Sequence, residues 1–157
     1  MLRLPKFRYL QPRSVTEAIR MMADNGPDAM FVAGGTDLYP NMKRRQQTPK
    51  VVIGLSQVKD LCKMKGQPKQ GMTLGASLTL ADVTADTRIQ SAHPAVAKAA
   101  ELISTPLLRN MGSIGGNLLL ETRCNYYDQN YAWRKALHFC MKKDGEICWV
   151  APSSPRC

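Results

Sequence analysis

Four of the five cysteines stand within the last 34 residues, and this clustering constrains the chain more than any other feature. They are Cys124, Cys140, Cys148 and Cys157, at intervals of 16, 8 and 9 residues. No C-x₂₋₄-C pair, the usual mark of a zinc site, occurs among them. The same stretch holds six of the ten aromatic residues. We expect the four thiols to converge inside an aromatic shell, an arrangement that suits a metal or an iron–sulfur cluster.

The composition indicates one globular domain with an excess of positive charge. A chain of 157 residues can bury a single core, and its formal charge is +10. The basic residues are dispersed except for Lys43, Arg44 and Arg45, so nucleic-acid binding is disfavoured, and an anionic cofactor or an acidic partner protein accounts for the excess. The three-residue run itself is either a solvated face or a docking patch for a partner subunit.

The sequence predicts a cytoplasmic protein that does not enter a membrane. No apolar run approaches the roughly 20 residues of a membrane span, and the amino terminus lacks the apolar region of a signal peptide. The cysteine spacing does not suit a small secreted disulfide scaffold. Neither a Ser-His-Asp arrangement nor an HExxH motif is evident, so hydrolysis has no support.

The order of apolar and polar segments predicts an α/β fold that begins with a parallel sheet. Ser14 and Glu17 predict a capping box for a helix that ends near Asn25, and Thr79 predicts the cap of a helix that begins at Leu80. The remaining predictions are extended segments at 6–10, 30–33, 51–53 and 72–76, turns at 65–71 and 111–117, a helical turn or loop at 38–45 and a helix at 95–103.

Two glycine segments are candidates for binding a phosphate group. Paired glycines permit positive φ angles and close backbone approach, so that successive N–H groups can surround an anion. Neither segment matches GxGxxG or the P-loop, and the alternative for each alone is a tight turn. Two similar segments in one domain favour a pyrophosphate site. The candidate residues are Val32, Ala33, Gly34, Gly35, Thr36, Asp37 and Leu38 in the first segment, and Gly112, Ser113, Ile114, Gly115, Gly116 and Asn117 in the second.

Four motifs in order, AGGTDL, LGASLTLADV, HPAV and RNMGSIGGNL, resemble the flavin (medium) subunit of the molybdenum hydroxylases, the xanthine and carbon monoxide dehydrogenase family. The resemblance implies an α/β FAD-binding fold of two subdomains, of the PCMH/vanillyl-alcohol oxidase type, with the pyrophosphate between the two glycine segments. The cysteine pattern is similar to the 4-hydroxybenzoyl-CoA reductase branch, in which an inserted loop binds a [4Fe–4S] cluster. Ligation by Cys124, Cys140, Cys148 and Cys157 is therefore implied by likeness.

The same resemblance implies three parts and an electron-transfer role. The parts are a first FAD-binding subdomain at 1–56, the start of a second at 57–121, and a cysteine-rich insertion at 122–157. Family members are longer, so we expect an N-terminal portion of a subunit that is inactive alone. Implied partners are a molybdenum-cofactor subunit, a [2Fe–2S] subunit and ferredoxin as electron donor, with reductive dehydroxylation of an aromatic CoA thioester as the reaction.

Three alternatives stay open. The first is a flavin subunit of the xanthine or carbon monoxide dehydrogenase kind whose cysteines are structural or bind zinc. The second is a basic binding module without catalytic function, and the third is a truncated remnant.

Overall fold

The computed structural model of this chain describes residues 3–157, so the first two residues of the predicted subdomain 1–56 lie outside the described part. The chain divides into two compact units, of which the first ends at Leu119 and the second is Leu120–Cys157. The predicted boundary after residue 56 falls within the first unit and stays a prediction, as does the boundary after residue 121.

The first unit begins with strands and helices in alternation, as predicted. These elements are β1 (Arg8–Leu10), α1 (Val15–Asn25), β2 (Ala29–Val32), α2 (Leu38–Lys43) and β3 (Val51–Gly54). The strands form one parallel sheet in the order β1–β3–β2. Arg8, Val51 and Ala29 are register partners at its amino edge, and Val32 pairs with Gly54 at its carboxyl edge. The parallel pairing that the sequence predicted is therefore confirmed.

The sheet is covered on both faces because side chains alternate along each strand. Ile53 and its neighbours Ala29 and Val51 form one buried cluster, against which Met21 and Met22 of α1 pack. Val52 points the other way and packs with Val32, Leu38 and Met42, the last two from α2. The middle strand β3 is buried throughout, which explains its uninterrupted apolar sequence.

The predicted capping box at Ser14 is only half formed. The Ser14 hydroxyl accepts a hydrogen bond from the Glu17 N–H at 3.1 Å, but the Glu17 carboxylate accepts from the Arg13 N–H instead of that of Ser14. The reciprocal pattern occurs at Thr79, whose hydroxyl accepts from the Asp82 N–H at 3.0 Å while Asp82 accepts from the Thr79 N–H at 2.9 Å. The predicted cap at Thr79 is confirmed.

The rest of the first unit is a hairpin followed by short helices. These elements are β4 (Met64–Gln67), β5 (Gly71–Leu74), α3 (Leu80–Ala85), α4 (Thr87–Ala92), α5 (Pro94–Leu102), α6 (Pro106–Arg109) and α7 (Ile114–Leu118). Their core contains Leu80, Val83, Ile89 and Ala100. Two predictions were wrong in part. Residues 65–67 belong to β4 rather than to a turn, and the predicted turn at 111–117 ends in α7, because Ser113 caps a helix there.

The second unit contains one α-helix, α8 (Tyr131–Ala136), within its described residues. Asn130 caps it by accepting a hydrogen bond from the Trp133 N–H at 3.0 Å. After the C-cap residue Leu137, the chain continues through two consecutive left-handed residues, His138 and Phe139. Across the described residues of both units, no helix is both long enough and apolar enough to cross a bilayer.

Candidate functional site

The first glycine segment begins where β2 ends, at the carboxyl edge of the sheet. Val32 is the last residue of β2, and α2 begins at Leu38. Open sheets that contain parallel strands bind ligands outside this edge, because the connecting loops open a crevice there. The position of residues 33–37 therefore agrees with a binding role, and none of these residues lies inside a helix or strand.

The backbone of this segment presents unused hydrogen-bond donors. Within the described residues, no main-chain carbonyl accepts a hydrogen bond from the N–H groups of Gly34, Gly35 or Thr36. Gly35 has a φ of 72°, a left-handed conformation that side chains disfavour. A Cβ on Gly35 would also overlap the ring of Tyr39. Successive donors in such a turn form a concave site that favours an anion.

Tyr39 lies behind this segment and stays uncharged. Burial raises the pKa of the Tyr39 hydroxyl above its usual value, and the nearby Tyr9 raises it further. The Tyr9 hydroxyl in turn lies against the Cα of Gly54, at the carboxyl end of β3. Because Tyr39 carries no negative charge at neutral pH, it does not repel an anion bound at the adjacent turn.

The second glycine segment has far fewer unused donors, contrary to the sequence-based expectation of an anion nest. The N–H of Gly112 donates to Leu108 O at 2.7 Å and that of Gly115 to Ala76 O at 2.9 Å. The N–H of Gly116 donates to the hydroxyl of Ser113 at 3.2 Å. Ile114 and Asn117 also donate to main-chain carbonyls. Of residues 112–117, only Ser113 has a backbone N–H for which the described residues show no acceptor.

The structure brings the two glycine segments into direct contact. A Cβ on Gly34 would overlap the carbonyl oxygen of Met111 and lie 3.2 Å from the N–H nitrogen of Gly112. A Cβ on Gly112 would in turn lie 3.5 Å from the hydroxyl oxygen of Thr36. The unused N–H groups of the first segment therefore stand beside the start of the second, and glycine at position 34 is what permits this approach.

A third segment, residues 76–80, supports the second glycine segment. The sequence did not indicate it as part of the site. Leu80 donates to Gly112 O at 2.9 Å, and Ile114 donates to Leu78 O at 2.8 Å, so residues 78–80 pair antiparallel with residues 112–114. Gly115 lies so close to Ala76 that a Cβ would be 2.6 Å from the Ala76 methyl group. Residues 76–80 lie in the motif LGASLTLADV, but the sequence pattern did not indicate their contact with the second glycine segment.

The remaining residue of interest in the first segment is Asp37. It occupies the cap position of α2 without a capping hydrogen bond from its side chain. Its carboxylate instead accepts a hydrogen bond from the Asn41 amide at 3.2 Å. Asp37 thus contacts Asn41 of α2, while the unused N–H groups belong to the three residues before it.

The cysteines of the second unit do not form a metal site in this structure. Cys140 is buried, Cys124 and Cys148 are half-buried, and Cys157 is exposed. Within residues 3–157, no group of three or more His, Cys, Asp or Glu side chains is placed to hold a metal ion. The expected convergence of four thiols is therefore not found, and the geometry does not fit a cluster with four cysteine ligands. Cys62, the one cysteine outside this group of four, is exposed.

A buried arginine organises the turn that contains Cys140. The Arg134 side chain is 7% exposed, and its guanidinium forms an ion pair with Asp144 at 2.9 Å. It also lies over the rings of Tyr131 and Phe139, at 5.9 and 5.5 Å from their centroids. The carbonyl of Arg134 accepts from the N–H of Phe139 at 2.8 Å. These contacts tie α8 to the residues on both sides of Cys140.

The turn itself closes on the Cys140 backbone. The carbonyl of Cys140 accepts hydrogen bonds from Lys143 at 2.8 Å and from Gly145 at 3.0 Å. A Cβ on Gly145 would be 2.8 Å from the Cys140 nitrogen. The expected aromatic shell is incomplete, because Tyr131, Trp133 and Trp149 are exposed by 61%, 38% and 37%.

Comparison with known proteins defines the class. The family described as "FAD binding domain in molybdopterin dehydrogenase" matches residues 5–146, and the chain belongs to this family. The carbon monoxide dehydrogenase medium chain of Hydrogenophaga pseudoflava is 36% identical over 116 residues, which are 73% of this chain and 39% of that protein. The aldehyde oxidoreductase FAD-binding subunit PaoB of Escherichia coli is 33% identical over 132 residues, 83% of this chain and 41% of that protein.

Solved structures agree with this assignment. Carbon monoxide dehydrogenase from Hydrogenophaga pseudoflava matches with a TM-score of 0.70 and 34% identity, over 74% of this chain and 40% of that chain. Quinoline 2-oxidoreductase from Pseudomonas putida 86 matches with a TM-score of 0.69 and 30% identity, over 74% and 40%. The predicted mixed α/β FAD-binding fold is confirmed. The chain spans about two fifths of the length of these relatives.

Proposed function

We propose that this chain is the FAD-binding part of the flavin subunit of a molybdenum-containing oxidoreductase. The observation that carries the proposal is the turn at Gly34, Gly35 and Thr36, whose three unused N–H groups stand beside the second glycine segment. Such a turn fits the pyrophosphate of FAD, which is an extended anion that needs several donors. When bound, FAD accepts and passes on electrons, which is the only chemistry the proposal requires of it.

The two glycine segments would have different roles in binding the pyrophosphate. The N–H groups of Gly34, Gly35 and Thr36, with the Thr36 hydroxyl, would donate to phosphate oxygens. The second segment would form the opposite wall, with the N–H of Ser113 as its one available backbone donor. Wall residues must be rigid to hold this shape, and the hydrogen bonds between residues 112–115 and residues 76–80 would supply that rigidity. The formal charge of +10 also favours an anionic cofactor.

The role in a larger enzyme is supported by the names of the relatives. They are described as a medium chain, a complex subunit and an FAD-binding subunit of oxidoreductases. By analogy, the partners of this chain would be a subunit with the molybdenum cofactor and a subunit with [2Fe–2S] centres. The chain would then hold the flavin within electron-transfer reach of those centres, in the cytoplasm.

A finer assignment has support from the sequence alone. The positions of Cys124, Cys140, Cys148 and Cys157 resemble the 4-hydroxybenzoyl-CoA reductase branch, which would add a [4Fe–4S] cluster and ferredoxin as donor. The described geometry gives this assignment no support, since it gathers no three ligands. Iron and acid-labile sulfide should be measured on anaerobically purified protein. About four of each per chain would support the cluster, and zinc alone would support the zinc-binding alternative. The absence of both metals would remove these two and leave cysteines with a structural role.

The FAD proposal is tested by comparing FAD with riboflavin, which lacks both the pyrophosphate and the adenosine of FAD. Purified protein is titrated with FAD and with riboflavin, and binding is followed by flavin fluorescence. We expect FAD to bind at least about 10-fold more tightly, because charge-assisted hydrogen bonds to the phosphates are absent for riboflavin. Equal affinities would show that the N–H turn is not used, and the absence of FAD binding would remove the proposal for this chain.

A further inference from the structure

The amino edge of the parallel sheet carries a basic surface on the opposite side from the glycine segments. β1, β3 and β2 begin in register at Arg8, Val51 and Ala29, so this edge is defined by three aligned backbone positions. Lys6 precedes β1 by two residues. Because β2 and β3 are parallel, the chain between them must return to the amino edge of the sheet. Residues 43–50, which connect the end of α2 to β3, form the last part of this connection. The amino-edge basic surface comprises Lys6, Arg8, Lys43, Arg44 and Arg45.

No carboxylate compensates these five cations within residues 3–157. All five are exposed, and none forms an ion pair with a described carboxylate. Other basic residues of the same unit do have acidic partners: Arg20 with Asp24, Lys50 with Asp28, Lys63 with Asp60, Arg88 with Asp86 and Lys98 with Glu101. Exposed cations without an acidic partner among the described residues therefore occur where the strand ends and the return connection meet.

Three of these side chains are held by hydrogen bonds to neutral groups, and the first is Arg8, which donates to the Asn25 side chain. Arg44 donates to the Asn41 side chain, and Arg45 donates to Met42 O at 3.1 Å. Met42 is fully buried, which fixes the backbone to which Arg45 is attached. Arg45 has a φ of 60°, a conformation that costs free energy for a residue with a side chain. Fixed cations lose less conformational entropy on binding than freely moving ones do.

We propose that the amino-edge basic surface binds an acidic face of another protein chain. Five cations, three of which are held by hydrogen bonds, would complement an acidic protein surface, and arginine is enriched at protein interfaces. Tight binding of duplex DNA uses more phosphate contacts, on the order of 6–10. A partner at this edge leaves the carboxyl edge open for FAD. That this partner is a subunit of the same oxidoreductase rests on the proposed function, whereas the binding of an acidic polypeptide does not.

The test compares two triple charge reversals that change the net charge equally. The first variant carries Lys6→Glu, Lys43→Glu and Arg45→Glu. The matched control carries Lys59→Glu, Lys65→Glu and Lys69→Glu, three exposed residues in and near the β4–β5 hairpin. The probes are a fluorescent poly-L-glutamate peptide of about 20 residues and a DNA duplex of about 20 base pairs, both titrated at low and moderate salt. Circular dichroism confirms that each variant is folded.

We expect the first variant to bind polyglutamate at least about 10-fold more weakly than the native chain, and the control to stay within about 2-fold. Equal losses in the two variants would show diffuse attraction by net charge and overturn the proposal. Tighter binding of DNA than of polyglutamate, lost in the first variant only, would assign the surface to nucleic acid instead. FAD titration of both variants separates this result from the proposed function, since neither triple change touches the glycine segments.

Discussion

The backbone of Gly34 lies directly against the carbonyl oxygen of Met111, so that any side chain at position 34 would overlap it. This contact joins two glycine segments that are more than 70 residues apart in sequence. It also places three unused N–H donors beside the second segment. The two loops of the candidate site are thereby in contact, and this contact depends on the absence of a Cβ at position 34.

The first prediction concerns this contact. Gly34→Ala should destabilise the first unit by about 1–3 kcal/mol, because the new methyl group must displace the Met111 peptide. The same displacement should weaken FAD binding by at least about 10-fold. Urea unfolding measures the first effect, and FAD titration of folded protein measures the second.

The control for this prediction is Gly71→Ala in the β4–β5 hairpin. Gly71 has a φ of 94° and open space around a Cβ, so the substitution strains the backbone without any overlap. We expect a loss of about 1 kcal/mol in stability and unchanged FAD affinity. If both variants bound FAD equally well, the Gly34–Met111 contact would have no part in the site.

The second prediction concerns the Ser113 hydroxyl, which is buried and caps α7 by accepting the Gly116 N–H. Ser113→Ala should cost about 1 kcal/mol of stability, since it leaves that donor unpaired. It should also loosen the wall of the site and reduce FAD affinity several-fold. Ser14→Ala removes a comparable cap from α1, away from both segments, and should cost similar stability with no change in FAD binding. Equal effects on FAD binding would contradict a role for Ser113 in the site.

The sheet was predictable because its signals are local. The run of Val51, Val52 and Ile53 identifies a strand buried on both faces, and strand–helix–strand order implies parallel pairing. Thr79 and Asp82 satisfy each other within one helical turn, so the sequence alone reveals the cap. At Ser14 the prediction was wrong in one detail, because the Arg13 N–H was equally within reach of the Glu17 carboxylate.

The hydrogen-bond partners of the glycine segments and the packing around the cysteines could not be predicted from the sequence. Both segments read alike as Gly-Gly pairs, yet the donors of the second are used by Ala76, Leu78 and Leu108, partners that no local pattern reveals. The placement of Cys140 follows from a buried Arg134 and a turn through two left-handed residues. Spacing along the chain contains no information on such packing.

The third prediction concerns Arg134 and the turn at Cys140. Arg134→Met removes the ion pair with Asp144 and both ring contacts, so the turn should open and expose the Cys140 thiol. Because Asp144 is 54% exposed, the loss of stability should be moderate, about 1–2 kcal/mol. Alkylation by iodoacetamide, read by mass spectrometry of the peptide that contains Cys140, should become at least about 10-fold faster.

A neighbouring lysine provides the control for this variant. Lys135 lies on the same helix and is exposed. Its side chain forms none of the ion pairs found among the described residues of the second unit. Lys135→Met should leave the alkylation rate of Cys140 unchanged. Rapid alkylation of Cys140 in the native chain would show that the turn is open in solution and that Arg134 does not close it.

The last prediction is a pH dependence that arises at Asp86. This carboxylate caps α4 by accepting from the N–H groups of Arg88 at 2.9 Å and Ile89 at 3.2 Å. The Arg88 guanidinium, which donates to it at 2.7 Å, lowers the pKa of Asp86 below its ordinary value of 3.8, and the two backbone donors lower it further. Because the pKa of Asp86 is lower in the folded chain than its ordinary value, the ionised carboxylate stabilises the fold. This stabilisation is fully present at pH values above the ordinary pKa and is lost as the pH falls through the lower folded-state pKa.

Asp86→Asn separates the charge from the cap, because asparagine also caps helices well. The variant should be less stable than the native chain at about pH 6, and the difference should shrink as the pH falls below about 3.8. Arg88→Met removes the main cause of the pKa shift and should reduce the same pH dependence. Urea unfolding across this range provides the measurement. A stability difference between native chain and Asp86→Asn that is constant from about pH 6 to about pH 3 would show that the Asp86 charge contributes nothing, since only a titrating group can produce the predicted convergence.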